Sequence, residues 1–280
     1  MPPLLFVSLR FLLAGLLLSV LGFHQIRALN RQQLKQATGV GVIFALGMCF
    51  WIMGVYSGVS LSVGSFLTSL SVVIVPVLDR LFFKGQAPWS AWVATPVAVV
   101  GLGFLSLKSG FVMEKGQLLF LIASLFFALF FILNVRAANH REIGGLDEIM
   151  DISEKVPALS LTAITLLTVG IMAGILSFVL EGWAVVASNF SANMVFWVLM
   201  SAFIGTAARF FIQTHALSLS TSSHGVVIMV IEPIWTTMLA ASWFGESLSG
   251  SDLVGCVLIF LSLIINRWSV MRGFFRQVTA

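Results

Sequence analysis

Charge is what this sequence has least of: 9% of its 280 residues are charged, against 59% that are apolar. A water-soluble domain carries about a quarter of its residues charged to cover its surface, so a soluble globular domain is excluded. Cysteine is nearly absent, and Cys49 and Cys256 both lie inside apolar runs. That excludes a disulfide framework and a cysteine-rich metal site, and leaves each as a small buried hydrophobe. The four histidines, His24, His140, His215 and His224, are scattered toward loops. None of them shows the His-x-x-His or His-Glu spacing of a metal site. An intramembrane enzyme needs a nucleophile with its base, or a metal cluster on facing helices. Neither is present, so no catalytic residue, metal ligand or cofactor is assigned. A channel is disfavoured as well, because no ring of like charges or carbonyl-filter segment appears.

What the chain does have is long apolar runs, rich in Leu, Phe and Val, that reach or approach the roughly 20 residues a helix needs to cross a bilayer. Backbone groups in hydrocarbon must be paired internally, which leaves helices or closed barrels. Barrel strands would alternate in short segments, whereas these runs are continuous. The expected fold is an all-α membrane protein with nine transmembrane helices, roughly at 3–23, 38–57, 62–83, 89–107, 116–136, 157–180, 194–214, 222–244 and 252–269. The second and third are joined by a tight Ser/Gly-rich hairpin. The net charge of +4 does not point to nucleic acid, because the basic residues sit between spans, where they set orientation. Alternate loops place Arg27, Arg31, Lys35, Arg80, Lys84, Arg136, Arg141, Lys155, Arg267, Arg272 and Arg276 on one side, and only Lys108 and Lys115 on the other. This puts the C-terminus in the cytoplasm and the N-terminus outside. No signal peptide is expected, since Met-Pro-Pro runs directly into the first apolar segment.

The two halves resemble each other. SLSVGSFLTSLSVVIVPVLDRLFFKG lies opposite SLSTSSHGVVIMVIEPIWTTMLAASWFG, and PLLFVSLRFLLAGLLL opposite PALSLTAITLLTVGIM. Spans one to four match six to nine at an offset of five, so paired helices should cross in opposite senses, as in the inverted repeats of secondary transporters. The organisation read from the repeat is 1–136 (an incomplete first repeat plus helix 116–136, which opens the second), a charged cytoplasmic loop at 137–156, and 157–280 as the remainder with a cytoplasmic tail. PPLLFVSLRFLLAGLLL, FLTSLSVVIVPVLDRLF and above all Gln213 to Gly255, with Glu232-Pro233 and the Gly245-Glu246 turn, resemble EamA-type members of the drug/metabolite transporter superfamily. The resemblance implies ten helices in two inverted halves and export of small metabolites, amino acids or drugs. The chain departs from it by lacking the first helix, and by reading Lys84-Gly85-Gln86 where the first-half turn should carry Gly-Glu.

Several polar residues stand inside the spans. Glu232, followed by Pro233, combines a carboxyl with the carbonyl of Met229 that proline leaves unpaired. Glu232 is either a pathway or proton site or a neutral packing residue at a kink. Thr206, Arg209 and Gln213 follow at i, i+3 and i+7, one helix face. Arg209 is a candidate partner for Glu232 or for a substrate carboxylate, or else extends its stem toward an interface. Arg10, about two turns into the first span, is likewise a pathway candidate, or else extends its stem to the outer head groups. Asn134, Trp51 and Tyr56 are cavity-lining candidates, although Trp and Tyr also belong at interfaces. Phe126, Phe127, Phe130 and Phe131 read as lipid-facing and packing surface, and His215 and His224 as hairpin residues. Pro76 and Pro96 are further mid-span breaks. Gly54-x-x-x-Gly58 and Gly170-x-x-x-Gly174 permit close helix contact and leave a homodimer open. The reading these features favour is a multi-pass inner-membrane carrier that exports a small-molecule substrate by alternating access, with the bilayer as its other partner. A non-transporting membrane subunit or lipid-translocating protein is the alternative.

Overall fold

The computed structural model describes residues 1–83, 89–105, 114–139, 154–182, 191–219, 232–245 and 250–266. Every regular element among them is a helix: α1 Pro3–Leu21, α2 Phe23–Arg27, α3 Arg31–Tyr56, α4 Leu61–Phe83, α5 Trp89–Leu105, α6 Lys115–Asn139 and α7 Ala158–Leu180. Next comes α8, in three stretches, Ala192–Met200, Ser201–Ala208 and Arg209–Leu219, and then α9 Glu232–Phe244 and α10 Gly250–Asn266. Six of these, α1, α3, α4, α6, α7 and α8, are long and apolar enough to cross a membrane. The helices α5 and α10 are apolar but shorter, and α9 is described over 13 residues. His140, His224, Lys84, Lys108, Arg141, Glu246, residues 140–153 of the charged loop, and the tail after Asn266 lie outside the described residues.

Local chemistry moves several boundaries away from the hydropathy reading. The third helix begins at Arg31, well before the apolar run, because Asn30 caps it. The Asn30 side-chain oxygen accepts from the Gln33 N–H at 2.8 Å, and the Gln33 side chain accepts from the Asn30 N–H at 3.0 Å. This reciprocal cap satisfies two backbone donors and lets a polar turn fold as helix. At its other end α3 stops at Tyr56, and Gly58 lies beyond it at a φ of +86°. Gly54 and Gly58 therefore do not form a helix-packing motif, since a left-handed turn separates them; Gly54 instead accommodates the Phe120 ring. The middle stretch of α8 is π-helical, with the Thr206 hydroxyl donating to the carbonyl of Ser201 five residues back at 2.9 Å.

The helices pack into two compact units, each drawing on both sequence halves: Met1–Ile52 with Phe130–Thr221, and Met53–Leu129 with Ser222–Ala280. In the first, α1 and α7 run antiparallel. Gly22 lies against Leu159, Gly15 against Leu167, Gly170 against Leu12, and Gly174 against Ser8. The contact is reciprocal: a Cβ on Gly15 would stand 2.8 Å from the Leu167 nitrogen, and one on Gly170 would stand 2.7 Å from the Leu12 nitrogen. The Ser8 hydroxyl closes the seam by donating to the Gly170 carbonyl at 2.8 Å. At the far end the Glu181 carboxylate accepts from the Leu4 and Leu5 N–H groups at 2.7 and 3.0 Å, capping α1 from α7. A carboxylate at a helix N-terminus meets both its orphan donors and its dipole.

In the second unit α5 and α10 are antiparallel as well. Gly101 faces the Gly255 carbonyl and Ile259, and the Ser90 hydroxyl donates to the Asn266 carbonyl at 3.0 Å. Pro76 sits within α4 and cannot donate to the Val72 carbonyl. The Asn266 side-chain amide from α10 takes that carbonyl at 2.9 Å.

Candidate functional site

The middle of the first unit holds a cluster of phenyl rings from four helices: Phe11 of α1, Phe44 of α3, Phe130 of α6 and Phe210 of α8. Phe44 stacks on Phe130 at 4.2 Å between centroids and meets Phe210 at 5.1 Å. Phe11 lies 5.9 Å from both Phe44 and Phe210. All four are buried, and each lies well inside its helix. The run at 126–131 was read from sequence as lipid-facing and packing surface; Phe130 is part of this inner core. One helical turn along from Phe130 and Phe210 stand Asn134 and Thr214, both buried, with the Asn134 amide donating to the Thr214 hydroxyl at 3.4 Å.

Two arginines border the rings. Arg10 is half-buried, its guanidinium carbon 5.0 Å from the centroid of Phe11 and 5.6 Å from that of Phe6. Arg209 is exposed, with its guanidinium carbon 5.2 Å from the centroid of Phe210. The Arg10 Nε is buried and finds no hydrogen-bond partner among the described residues. The Arg10 guanidinium lies against phenyl faces that attract its charge.

The face shared by Thr206, Arg209 and Gln213 is broken in the structure. Thr206 is fully buried in the π-helical stretch, Arg209 is exposed and Gln213 is half-buried. A π turn advances fewer degrees per residue than an α turn, so a spacing counted at the α period no longer marks one face across it. Trp51 is half-buried and Tyr56 exposed at the last residue of α3. His215 is within α8, exposed and stacked on Phe211 at 5.8 Å, and does not close a hairpin. Glu232 and Pro233 open the described part of α9; Glu232 is exposed, and its backbone carbonyl accepts from the Thr236 hydroxyl at 3.0 Å. Glu232 belongs to the second unit and the arginines to the first. Pro76 and Pro96 lie inside α4 and α5. The rings of Phe11, Phe44 and Phe210 escaped the sequence reading, yet a signal was present, since each intramembrane arginine is followed directly by phenylalanine.

The model of the EamA-like transporter family matches residues 1–107 and 114–268. The chain belongs to the EamA-like transporter family. A protein of Archaeoglobus fulgidus described as an uncharacterized transporter is 25% identical over 265 residues, covering 95% of this chain and 77% of its own. One solved crystal structure, 14% identical, aligns over 97% of this chain and 89% of its own with a TM-score of 0.64, a likeness of fold alone. This EamA-like protein is thus an all-helical, multi-pass membrane transporter in contact with the lipid bilayer.

Proposed function

We propose that this EamA-like protein is a secondary carrier that exports a small metabolite or amino acid across the inner membrane, exposing a mid-membrane site to each side in turn. The observation that carries the reading is the antiparallel packing of sequence-matched helices, α1 with α7 and α5 with α10. Oppositely inserted copies have two related arrangements open to them, one facing each side, which is what alternating access requires. The N-terminus is outside and the C-terminus cytoplasmic, from the loop distribution of Lys and Arg. Export is the direction the family resemblance implies.

Within this reading Glu232 takes up and releases the coupling proton, as an ionisable residue beside a proline break in an apolar helix is suited to do. The decisive experiment pairs metabolite accumulation in a deletion strain with flux in proteoliposomes. Saturable, solute-specific movement is expected. In Glu232→Gln at normal expression, export driven by a pH gradient is expected to be lost while exchange of labelled solute persists. Unchanged gradient-driven export in that variant would remove Glu232 from the coupling step, and the absence of any saturable flux would return the chain to a non-transporting role.

A further inference from the structure

We infer that the end of α1, the short helix α2 and the first turns of α3 form a docking site for an anionic phospholipid. Arg27, Arg31, Lys35 and Lys155 hold its phosphate, and Val20, Leu21 and Phe23 take its chains. The inference goes beyond the carrier reading and needs only the fold. The 19 residues of α1 cover about 28 Å, close to the roughly 30 Å of hydrocarbon in a bilayer. Gly22 ends α1 against Leu159 of α7, and α2 follows directly. A span of that length sets α2 at the depth of the lipid head groups, on the side that the loop charges assign to the cytoplasm.

Val20, Leu21 and Phe23 are 74, 68 and 56% exposed, an apolar edge at the end of the span. Arg27 stands four residues beyond Phe23, on the same face of α2, and Arg31 and Lys35 stand four apart on α3. All three cations are exposed. The fold adds a fourth. The Gln33 amide donates to the Lys155 carbonyl at 2.9 Å, which brings exposed Lys155 beside the first turn of α3. Like charges at such spacings repel, and none of the four makes an ion pair among the described residues. The acid beside them, Glu154, accepts from the Asn30 amide at 2.5 Å. An external anion is what relieves the repulsion. The apolar edge then decides which anion, since free phosphate makes no use of it and a soluble acidic partner does not reach into hydrocarbon. A phospholipid carries its phosphate just beyond its chains, in the order in which Phe23 and Arg27 stand along α2. Basic residues at the surface of an anionic leaflet attract it in this way, and their long stems let them follow the phosphate.

The test follows thermal unfolding of the purified full chain in a neutral detergent against phosphatidylglycerol, phosphatidylcholine and inorganic phosphate, at low and high salt. Phosphatidylglycerol is expected to raise the Tm in a saturable way, the other two to leave it unmoved, and salt to weaken the shift. Arg27→Gln, Arg31→Gln, Lys35→Gln and Lys155→Gln should each raise the half-saturating lipid concentration about fivefold. Arg27→Lys and Arg31→Lys, which keep the charge, should stay near the parent value. Phe23→Ser should weaken binding through the lost acyl contact. Should the Gln variants fail to fold, as judged by circular dichroism, the salt series on the unaltered chain still decides: a phosphatidylglycerol shift indifferent to salt overturns the site. It is overturned equally if phosphatidylcholine matches phosphatidylglycerol, or if the Gln variants bind as the parent does. Stabilisation by inorganic phosphate alone overturns it in favour of a soluble anion. A smaller particle by elution volume in the Gln variants overturns it in favour of a second copy of the chain. Binding that appears only once Glu142, Asp147, Glu148 and Asp151 are all replaced by Gln overturns it in favour of the chain's own acids.

Discussion

Asn266 shows how one backbone defect in an apolar helix is repaired from outside. Pro76 leaves the Val72 carbonyl without its intrahelical donor, and no water is at hand inside a bilayer to replace it. The amide of Asn266, itself buried, supplies the bond at 2.9 Å. Asn266→Ala is therefore expected to destabilise the fold by about 1–3 kcal/mol, the usual penalty for stranding a buried polar group. Pro76→Ala supplies an intrahelical N–H donor to that carbonyl, so in this background the loss of Asn266 should cost much less. Thermal unfolding of the two single variants and the double variant in detergent measures the coupling. Strict additivity would show that the amide and the proline are unrelated. Nothing in the residues around Asn266 marked it beforehand. The demand for a donor was legible at Pro76, but the supplier comes from a helix distant in sequence.

Among elements, the α1–α7 seam repeats itself about its own middle. Leu12 sits over Gly170 and Leu167 over Gly15, so both close approaches are made by the same residue types in exchanged roles. Gly15→Ala and Gly170→Ala each drive a methyl into a backbone nitrogen, which cannot rotate away. Each is expected to cost about 1–3 kcal/mol through overpacking. The double variant should cost less than the two together, because helices already pushed apart by the first methyl leave room for the second. Equal and additive losses would mean that the two contacts relax independently. The long helices were legible in the apolar runs, as was the matching of α1 to α7 through the facing stretches PLLFVSLRFLLAGLLL and PALSLTAITLLTVGIM. The early start of α3 was not, since hydropathy is blind to the reciprocal bonds of Asn30 and Gln33 that hold a polar turn in helical form. The π-helical stretch of α8 was equally hidden, because its composition is that of any apolar helix, and with it went the supposed common face of Thr206 and Arg209. The phenyl cluster was half legible: two Arg-Phe dipeptides stand in the sequence, while the meeting of their rings depends on how α1 and α8 pack.

For the whole molecule, contacts within each unit bear on which loops share a side of the membrane. The start of α1 meets the end of α7 through Glu181. The start of α3 meets the segment before α7, where the Asn30 amide donates to Glu154 and the Gln33 amide to the Lys155 carbonyl at 2.9 Å. Near the end of α3, Ser57 lies against Gly116 at the start of α6, and the start of α5 meets the end of α10 at Ser90 and Asn266. In each case the distribution of Lys and Arg independently assigns both partners to one side: 4 and 181 outside, 30–33 and 154–155 inside, 57 and 116 outside, 90 and 266 inside. An error in the crossing order would have set at least one of these contacts across the hydrocarbon. Single cysteines introduced into a Cys49→Ser, Cys256→Ser background make this measurable. In intact cells a membrane-impermeant maleimide is expected to label Gly182→Cys and Glu114→Cys, and to reach Gln32→Cys and Lys155→Cys only after permeabilisation. The opposite pattern throughout would reverse the proposed orientation while leaving the pairing of ends intact, because the contacts bear on relative sides and only the basic loops argue for the absolute one. Labelling of Gln32→Cys but not Lys155→Cys would break the pairing itself, and with it the crossing order that makes α1 and α7 inverted copies.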